Sequence, residues 1–250
     1  MLANFHTHTT RCHHATGTER EYIEQAISCG FKTLGFSDHT PFYDTYGFAV
    51  TPRMSASELE DYTSTLVQLR EEYKKDIEIL IGYEVEYTPT YFKEILSELK
   101  KYPYDFIIQG QHFVEGAMSD HYAGDATDSI RYLEDFVETT IEGMKTGEFM
   151  YLAHPDLVKY TGPDDIYLEK MRPIIEAAEE LDIPLEVNMY GFADNRNYPD
   201  ERFWRMVPEY DVKVVLGCDA HKPEMITRPE DVPGLSEFLE RNDLNRLLNQ

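Results

Sequence analysis

The chain has 250 residues, 42% of them hydrophobic, with 47 acidic against 23 basic side chains and a formal net charge of -24. That length admits one large domain whose core needs no staples, and the acidic excess weighs against a nucleic-acid backbone or an anionic membrane as partner. The three cysteines lack C-x-x-C spacing, the start MLANFHTHTT has no leader-like segment, and no apolar run reaches a membrane span, so a cytoplasmic protein with reduced thiols is expected.

Short β-rich runs alternate with helical patterns along the whole chain. The first strand is expected from Leu2 to Thr7. The capping box Thr18-x-x-Glu21 starts a helix that ends at Gly30. A second strand covers Thr33 to Ser37. A second capping box, Ser55-x-x-Glu58, precedes Leu59, Tyr62, Leu66, Leu69 and Tyr73 at helical spacing. The third strand reads from Ile77 to Val85, and Thr88-Pro89 is expected to cap the next helix. A fourth strand, Phe106 to Gln109, leads to a helix carrying Ile130, Leu133, Phe136, Val137 and Ile141. The fifth strand is Phe149 to Ala153. A helix from about Asp165 to Leu181 follows, with Pro173 expected to kink it. The sixth and seventh strands are Leu185 to Asn188 and Val212 to Leu216, and a last helix occupies Leu235 to Leu248.

Strict alternation implies parallel strands joined by right-handed crossovers. Potential metal ligands then choose between an open sheet and a barrel. His6 and His8 stand two residues apart at a strand end, so period two sends both to one face. Asp219 and His221 do the same after the last strand. His39, His112 and His154 each stand where an apolar run leaves the core. Glu84 and Glu86 end the third strand on a shared face, and spacing does not choose between them. His13 and His14 are adjacent in a loop, and His121 sits in a longer one. Every strand end except the sixth offers a ligand, and only a closed barrel gathers all of them around one centre. Imidazoles with carboxylates are a familiar donor set for Zn, Mn or Fe.

The segments HTHTTRCHHA, FSDH, IGYEVEY, QGQHF, LAHPD and GCDAH occur in this order. Together they resemble the polymerase and histidinol phosphatase (PHP) family, and specifically its free-standing histidinol-phosphate phosphatases. The resemblance runs from residue 5 to residue 221 and implies a distorted seven-stranded (β/α)7 barrel, TIM-like, in a single PHP-type domain over 1–250. It also implies two to three divalent metal ions. His6, His8, Glu84 and Asp219 would hold the first, and Glu84, His112 and His154 the second. His14, His39 and His221 would hold the third. His14 is preferred to His13 by the family's cysteine-x-histidine-alanine pattern, and Glu84 to Glu86 by its glycine-x-glutamate. The chain departs at Gly110-Gln111, where members often carry glycine-serine.

The implied reaction is hydrolysis of L-histidinol phosphate to L-histidinol and phosphate in histidine biosynthesis, by a metal-bridging hydroxide attacking phosphorus. Another small phosphate ester or a nucleotide is the alternative substrate. Asp219 is a candidate ligand or proton donor for the leaving group. Arg196, after the only strand without a ligand, is the first candidate for holding the phosphate, and Lys159, five residues past His154, is the second. Glu186 and Asn188 share a face of the sixth strand and are expected to orient ligands. The expected partner is a small phosphorylated molecule, with no nucleic acid and no membrane. Nothing in the pattern specifies an oligomeric state. A C–N hydrolase is disfavoured because no lysine ends the third or fourth strand, and a non-catalytic scaffold because all nine ligand positions are filled.

Overall fold

The computed structural model describes residues 2–41, 53–114 and 121–248. Among these, the strands are β1 (Ala3–Asn4), β2 (Thr33–His39), β3 (Glu78–Val85), β4 (Phe106–Gly110), β5 (Leu152–Ala153), β6 (Leu185–Asn188) and β7 (Val214–Gly217). They form one sheet in the order β1-β2-β3-β4-β5-β6-β7, and all six neighbouring pairs are parallel. A parallel bridge between Thr7 and Ala220 joins the first segment to the last. The sheet is therefore nearly closed, a TIM-like (β/α)7 barrel.

The seam explains why β1 is shorter than expected. The Cys218 amide donates to Asn4 Oδ1 at 2.9 Å, so a side chain substitutes for the main-chain partner there. Backbone pairing resumes further along, where the His8 amide donates to the Ala220 carbonyl at 2.9 Å. The seam thus spreads just below His6 and His8.

The helices are α1 (Glu19–Ser28), α2 (Leu59–Tyr73), α3 (Phe92–Leu99), α4 (Ile130–Met144), α5 (Asp164–Leu181), α6 (Met189–Ala193), α7 (Glu201–Trp204) and α8 (Leu235–Arg241). Both halves of the Thr18 capping box are formed, as is the reciprocal pair between Ser55 and Glu58. α3 starts later than expected. Thr88 does not cap it; its carbonyl accepts from the amides of Tyr91 and Phe92, and a turn intervenes. α5 continues through Pro173 as one element.

Two cores position the site. The larger lies between strands and helices and includes the fully buried Trp204, Tyr22, Phe36 and Phe136. Burying each such side chain stabilises the fold by about 1.5–3 kcal/mol. The smaller, Phe106, Ile108, Tyr151 and Ala153 with Phe5, Leu80 and Val215, fills the barrel interior. A Cβ at Gly82 would come within 2.6 Å of the Phe106 ring, so this strand glycine leaves room for the interior plug. The carboxyl ends of the strands stand above that plug. The cysteines are free thiols, and no described helix is long and apolar enough to cross a membrane.

Candidate metal centre

Glu84, near the end of β3, is the hub of the upper rim. It is 1% exposed, and its carboxylate faces five imidazoles. His39 Nδ1 and His154 Nε2 lie 2.8 and 2.9 Å away, His112 Nε2 lies 3.5 Å away, and His6 Nε2 and His8 Nε2 each lie 3.6 Å away. Asp219 stands across from it, 3.0 Å from His8 Nε2 and 3.5 Å from His6 Nε2. The third group lies beside these. His14 Nε2 and His221 Nε2 converge to 2.9 Å, and His39 completes the cluster.

Four donor groupings on the rim have their atoms within 4.8 Å of one another: His6 with His8 and Asp219, His6 with Glu84 and His154, His8 with His39 and Glu84, and His14 with His39 and His221. A grouping of Cys12 with His8 and His221 also meets this distance, but burial beside the Asp38 charge pushes the Cys12 thiol up and disfavours the thiolate. The thiolate is the form that binds metal.

The reverse side of five of the rings is held by the protein, while His154 Nδ1 is buried without a hydrogen-bond partner. His6 Nδ1 lies 2.8 Å from Glu186 Oε1, and His8 Nδ1 lies 3.4 Å from Asp38 Oδ1. His112 Nδ1 lies 3.2 Å from Glu86 Oε2. His14 Nδ1 and His221 Nδ1 reach the carbonyls of Cys12 at 2.8 Å and Asp219 at 3.0 Å. Asn188 Nδ2 donates to Glu186 and to Asp219, each at 3.1 Å. Anchoring one nitrogen aims the other, and this arrangement fixes metal-ligating imidazoles. His6 Nε2, His8 Nε2, His39 Nδ1 and Glu84 Oε2 are buried and turn into the same space, where they meet one another and Asp219 as ion pairs without hydrogen-bond geometry. Buried polar atoms without hydrogen bonds are costly. A shared cation there would satisfy them, so the donor set fits divalent metal.

Charge balance agrees. Burial disfavours the Glu84 carboxylate, but His39, His112 and His6 outweigh it and hold the group well below the usual range. Asp219 is held down in the same way by His6, His8 and His221. Burial lowers the His8 pKa, yet Asp219 and Asp38 carry it to about 9. His221 goes the other way, to about 3, through burial and the charge of His8. His14 and His39 are also lowered, chiefly by burial. Neutral imidazole is the ligating form, and the downward shifts of His14, His39 and His221 favour it.

Strand ends are bent to bring these groups inward. His154 and Asp219 have φ of +30° and +46°, a left-handed region that costs a non-glycine residue roughly 1–3 kcal/mol. The Glu186 carboxylate, which accepts from the His154 amide at 3.1 Å, helps hold that bend.

The metal-facing residues open on a cavity of about 390 Å³ lined also by Arg53, Phe113, Tyr122, Tyr190, Arg196 and Tyr198. Arg196 stacks 4.1 Å above the Tyr190 ring and donates to Tyr198 Oη at 3.3 Å. Lys159 does not join it. That side chain is exposed and is absent from the cavity wall, because its backbone pairs with Ala123 and Thr127 outside the rim. His13 is turned outward, with its side chain 57% exposed beside Glu58, and His121 packs edge-on against Tyr132. Sequence reasoning missed Arg53 and the part played by Glu86; neither residue carries a local signal for it.

The family model of the PHP domain matches residues 4–190. The chain belongs to the PHP domain family. This PHP chain is 27% identical over 239 residues to a Deinococcus radiodurans protein named probable histidinol-phosphatase, covering 89% of this chain and 87% of that one. A Schizosaccharomyces pombe protein of the same name is 24% identical over 254 residues, covering 90% and 82%. Among solved structures, the histidinol phosphate phosphatase of Lactococcus lactis, complexed with zinc, L-histidinol and phosphate, superposes with a TM-score of 0.74 at 19% identity. That match covers 96% of this chain and 93% of the other and shows a shared fold.

Proposed function

We propose that this PHP protein is a metal-dependent phosphoric monoester hydrolase that converts L-histidinol phosphate to L-histidinol and phosphate, with residues 1–250 acting as a single domain. The observation that carries the chemistry is the convergence of Glu84 Oε2 with His6 Nε2, His8 Nε2 and His39 Nδ1 as buried donors without aligned hydrogen bonds beneath an open cavity. The substrate assignment draws on the names of the Deinococcus and Schizosaccharomyces relatives and on the zinc, histidinol and phosphate of the Lactococcus structure.

In this reading two to three divalent ions, Zn, Mn or Fe, are held by His6, His8, Glu84 and Asp219, by Glu84, His112 and His154, and by His14, His39 and His221. Such ions acidify a water to supply the nucleophile and offset phosphoryl charge. Glu84 acts as the shared carboxylate, since both its oxygens face imidazoles from different strands. Asp219 is held ionised by its histidine neighbours, which supports a ligand role over proton donation. Arg196 binds the phosphate, its guanidinium fixed by Tyr190 and Tyr198. The aromatic walls, Phe113, Tyr122, Tyr190 and Tyr198, suit a flat imidazole ring and exclude water around it.

Steady-state kinetics of the metal-replete protein test the assignment. The expected kcat/KM for L-histidinol phosphate exceeds that for p-nitrophenyl phosphate by about 100-fold, the discrimination that polar and shape contacts provide. Equal values would sink the substrate claim and leave a general phosphomonoesterase.

A further inference from the structure

Arg53 lies between β2 and α2 and is only 8% exposed, yet it lines the cavity. Its Nη2 donates to Glu86 Oε2 at 2.6 Å. The other oxygen, Glu86 Oε1, accepts from the amides of His112 and Phe113, and Oε2 also lies 3.2 Å from His112 Nδ1. One buried carboxylate therefore fixes a cation and a rim histidine together. The positive charge of Arg53 also reaches His39.

Its position relative to Arg196 is informative. Arg196 follows β6, whereas Arg53 follows β2, and β2 and β6 are four places apart in one direction and three in the other, through the Thr7–Ala220 bridge. The two guanidinium groups line the same cavity, Arg53 beside Glu86 at the end of β3 and Arg196 beside Tyr190 and Tyr198 after β6. Each is immobilised, Arg53 by Glu86 and Arg196 by Tyr190 and Tyr198. A planar guanidinium held in place gives directed, charge-assisted hydrogen bonds to phosphate oxygens. A phosphate monoester is a dianion near neutral pH with three terminal oxygens; a diester is a monoanion with two.

We propose that Arg53 is a specificity-determining residue that, together with Arg196, selects the dianionic phosphate monoester over the diester, with Glu86 as the positioning residue behind it. This inference rests on the phosphatase reading above. A single guanidinium would meet either anion. The second one adds more for the monoester, because alkylation removes both a charge and an acceptor.

The test is calorimetric titration of metal-replete protein with inorganic phosphate and with dimethyl phosphate, on the wild type, Arg53→Gln and Arg53→Lys. Metal content is measured for each protein. Arg53→Gln is expected to weaken phosphate binding roughly 10- to 100-fold, the worth of hydrogen bonds to a charged group. Dimethyl phosphate binding should change less than threefold, so the preference falls. Arg53→Lys keeps a charge without the fork and should fall between, with a loss of at least threefold; it provides the readout should the glutamine variant fail to fold. An unchanged preference in either variant, or an equal loss for both anions, overturns the inference and leaves Arg53 a structural partner of Glu86. Absence of any phosphate-ester hydrolysis by the wild type would instead overturn the underlying phosphatase reading.

Discussion

Glu186 Oε1, on β6, lies 2.8 Å from His6 Nδ1, just past the end of β1. Both residues are completely buried. The contact explains why β6 carries no rim ligand of its own: its acidic residue works behind the ring, and Tyr151 Oη donates to the same oxygen at 3.3 Å. Replacing Glu186 by Gln keeps the shape and removes the charge that favours a donor nitrogen facing the rim. Zinc affinity, measured by competition with a chromophoric chelator, should fall about 10- to 100-fold. Unchanged affinity would show that His6 needs no anchor.

Gly110 is a second point of control. A Cβ there would stand 1.9 Å from Glu84 Oε1 and 2.5 Å from Glu84 Cδ, so the glycine leaves the space that the hub carboxylate fills. Its φ lies outside the left-handed region, and the backbone itself accepts alanine. Gly110→Ala should therefore fold and yet displace Glu84. A shift of about 1 Å costs on the order of 100-fold in kcat/KM. A variant with wild-type kcat/KM would refute the role given to Glu84.

Arg196→Lys tests the other cation. Lysine retains charge but cannot stack on Tyr190 and reach Tyr198 together, as the guanidinium does. KM for L-histidinol phosphate should rise about tenfold with metal content unchanged. Loss of metal in this variant would instead place its effect on His221, whose ring lies 5.6 Å from that of Tyr190.

The barrel was legible in the sequence because its signals are local. Most strands are apolar runs, every ligand except His14 stands at or just past the end of one, and the sixth strand matches its expected bounds of Leu185–Asn188. What was illegible depends on partners far along the chain. Spacing could not separate Glu84 from Glu86; the structure does so because His6, His8, His39 and His154 approach the first, while Arg53 and the His112 and Phe113 amides approach the second. Proximity to His154 in sequence suggested Lys159, but the chain turns away from the rim before reaching it. Arg53 gave no signal, since its importance comes from Glu86, 33 positions away. The short β1 likewise reflects a contact between Asn4 and Cys218, 214 positions apart.

Chelation should destabilise the fold itself. The donors without aligned hydrogen bonds around Glu84 carry a desolvation cost that bound cation would relieve. Metal at about 1,000 times its dissociation constant adds roughly 4 kcal/mol, which for a chain this long shifts the melting midpoint by about 10 °C. Differential scanning calorimetry before and after chelation, and again after adding Zn or Mn, should show the midpoint fall and recover. An unmoved midpoint would argue against metal binding at these residues.

A separate pH dependence should come from the buried Asp156, two residues past His154. Burial pushes its carboxyl up to about 7, although bonds from the Asp200 amide and, at 3.0 Å, from Trp204 Nε1 act against that rise. The unfolded chain releases this proton near the ordinary value of 3.8. Between those two values the folded state holds more protons than the unfolded state, so the contribution of Asp156 to stability declines as pH rises through the window. Below it there is no penalty; above about 7 the full penalty of a buried carboxylate applies, on the order of a few kcal/mol. Asp156→Asn keeps an oxygen acceptor for Trp204 and carries no charge. Urea unfolding at pH 5 and pH 8 should therefore give a smaller drop in stability for the variant than for the wild type. Parallel profiles for the two proteins would mean that Asp156 is already ionised in the folded state at pH 5, its charge compensated by the Asp200 and Trp204 donors.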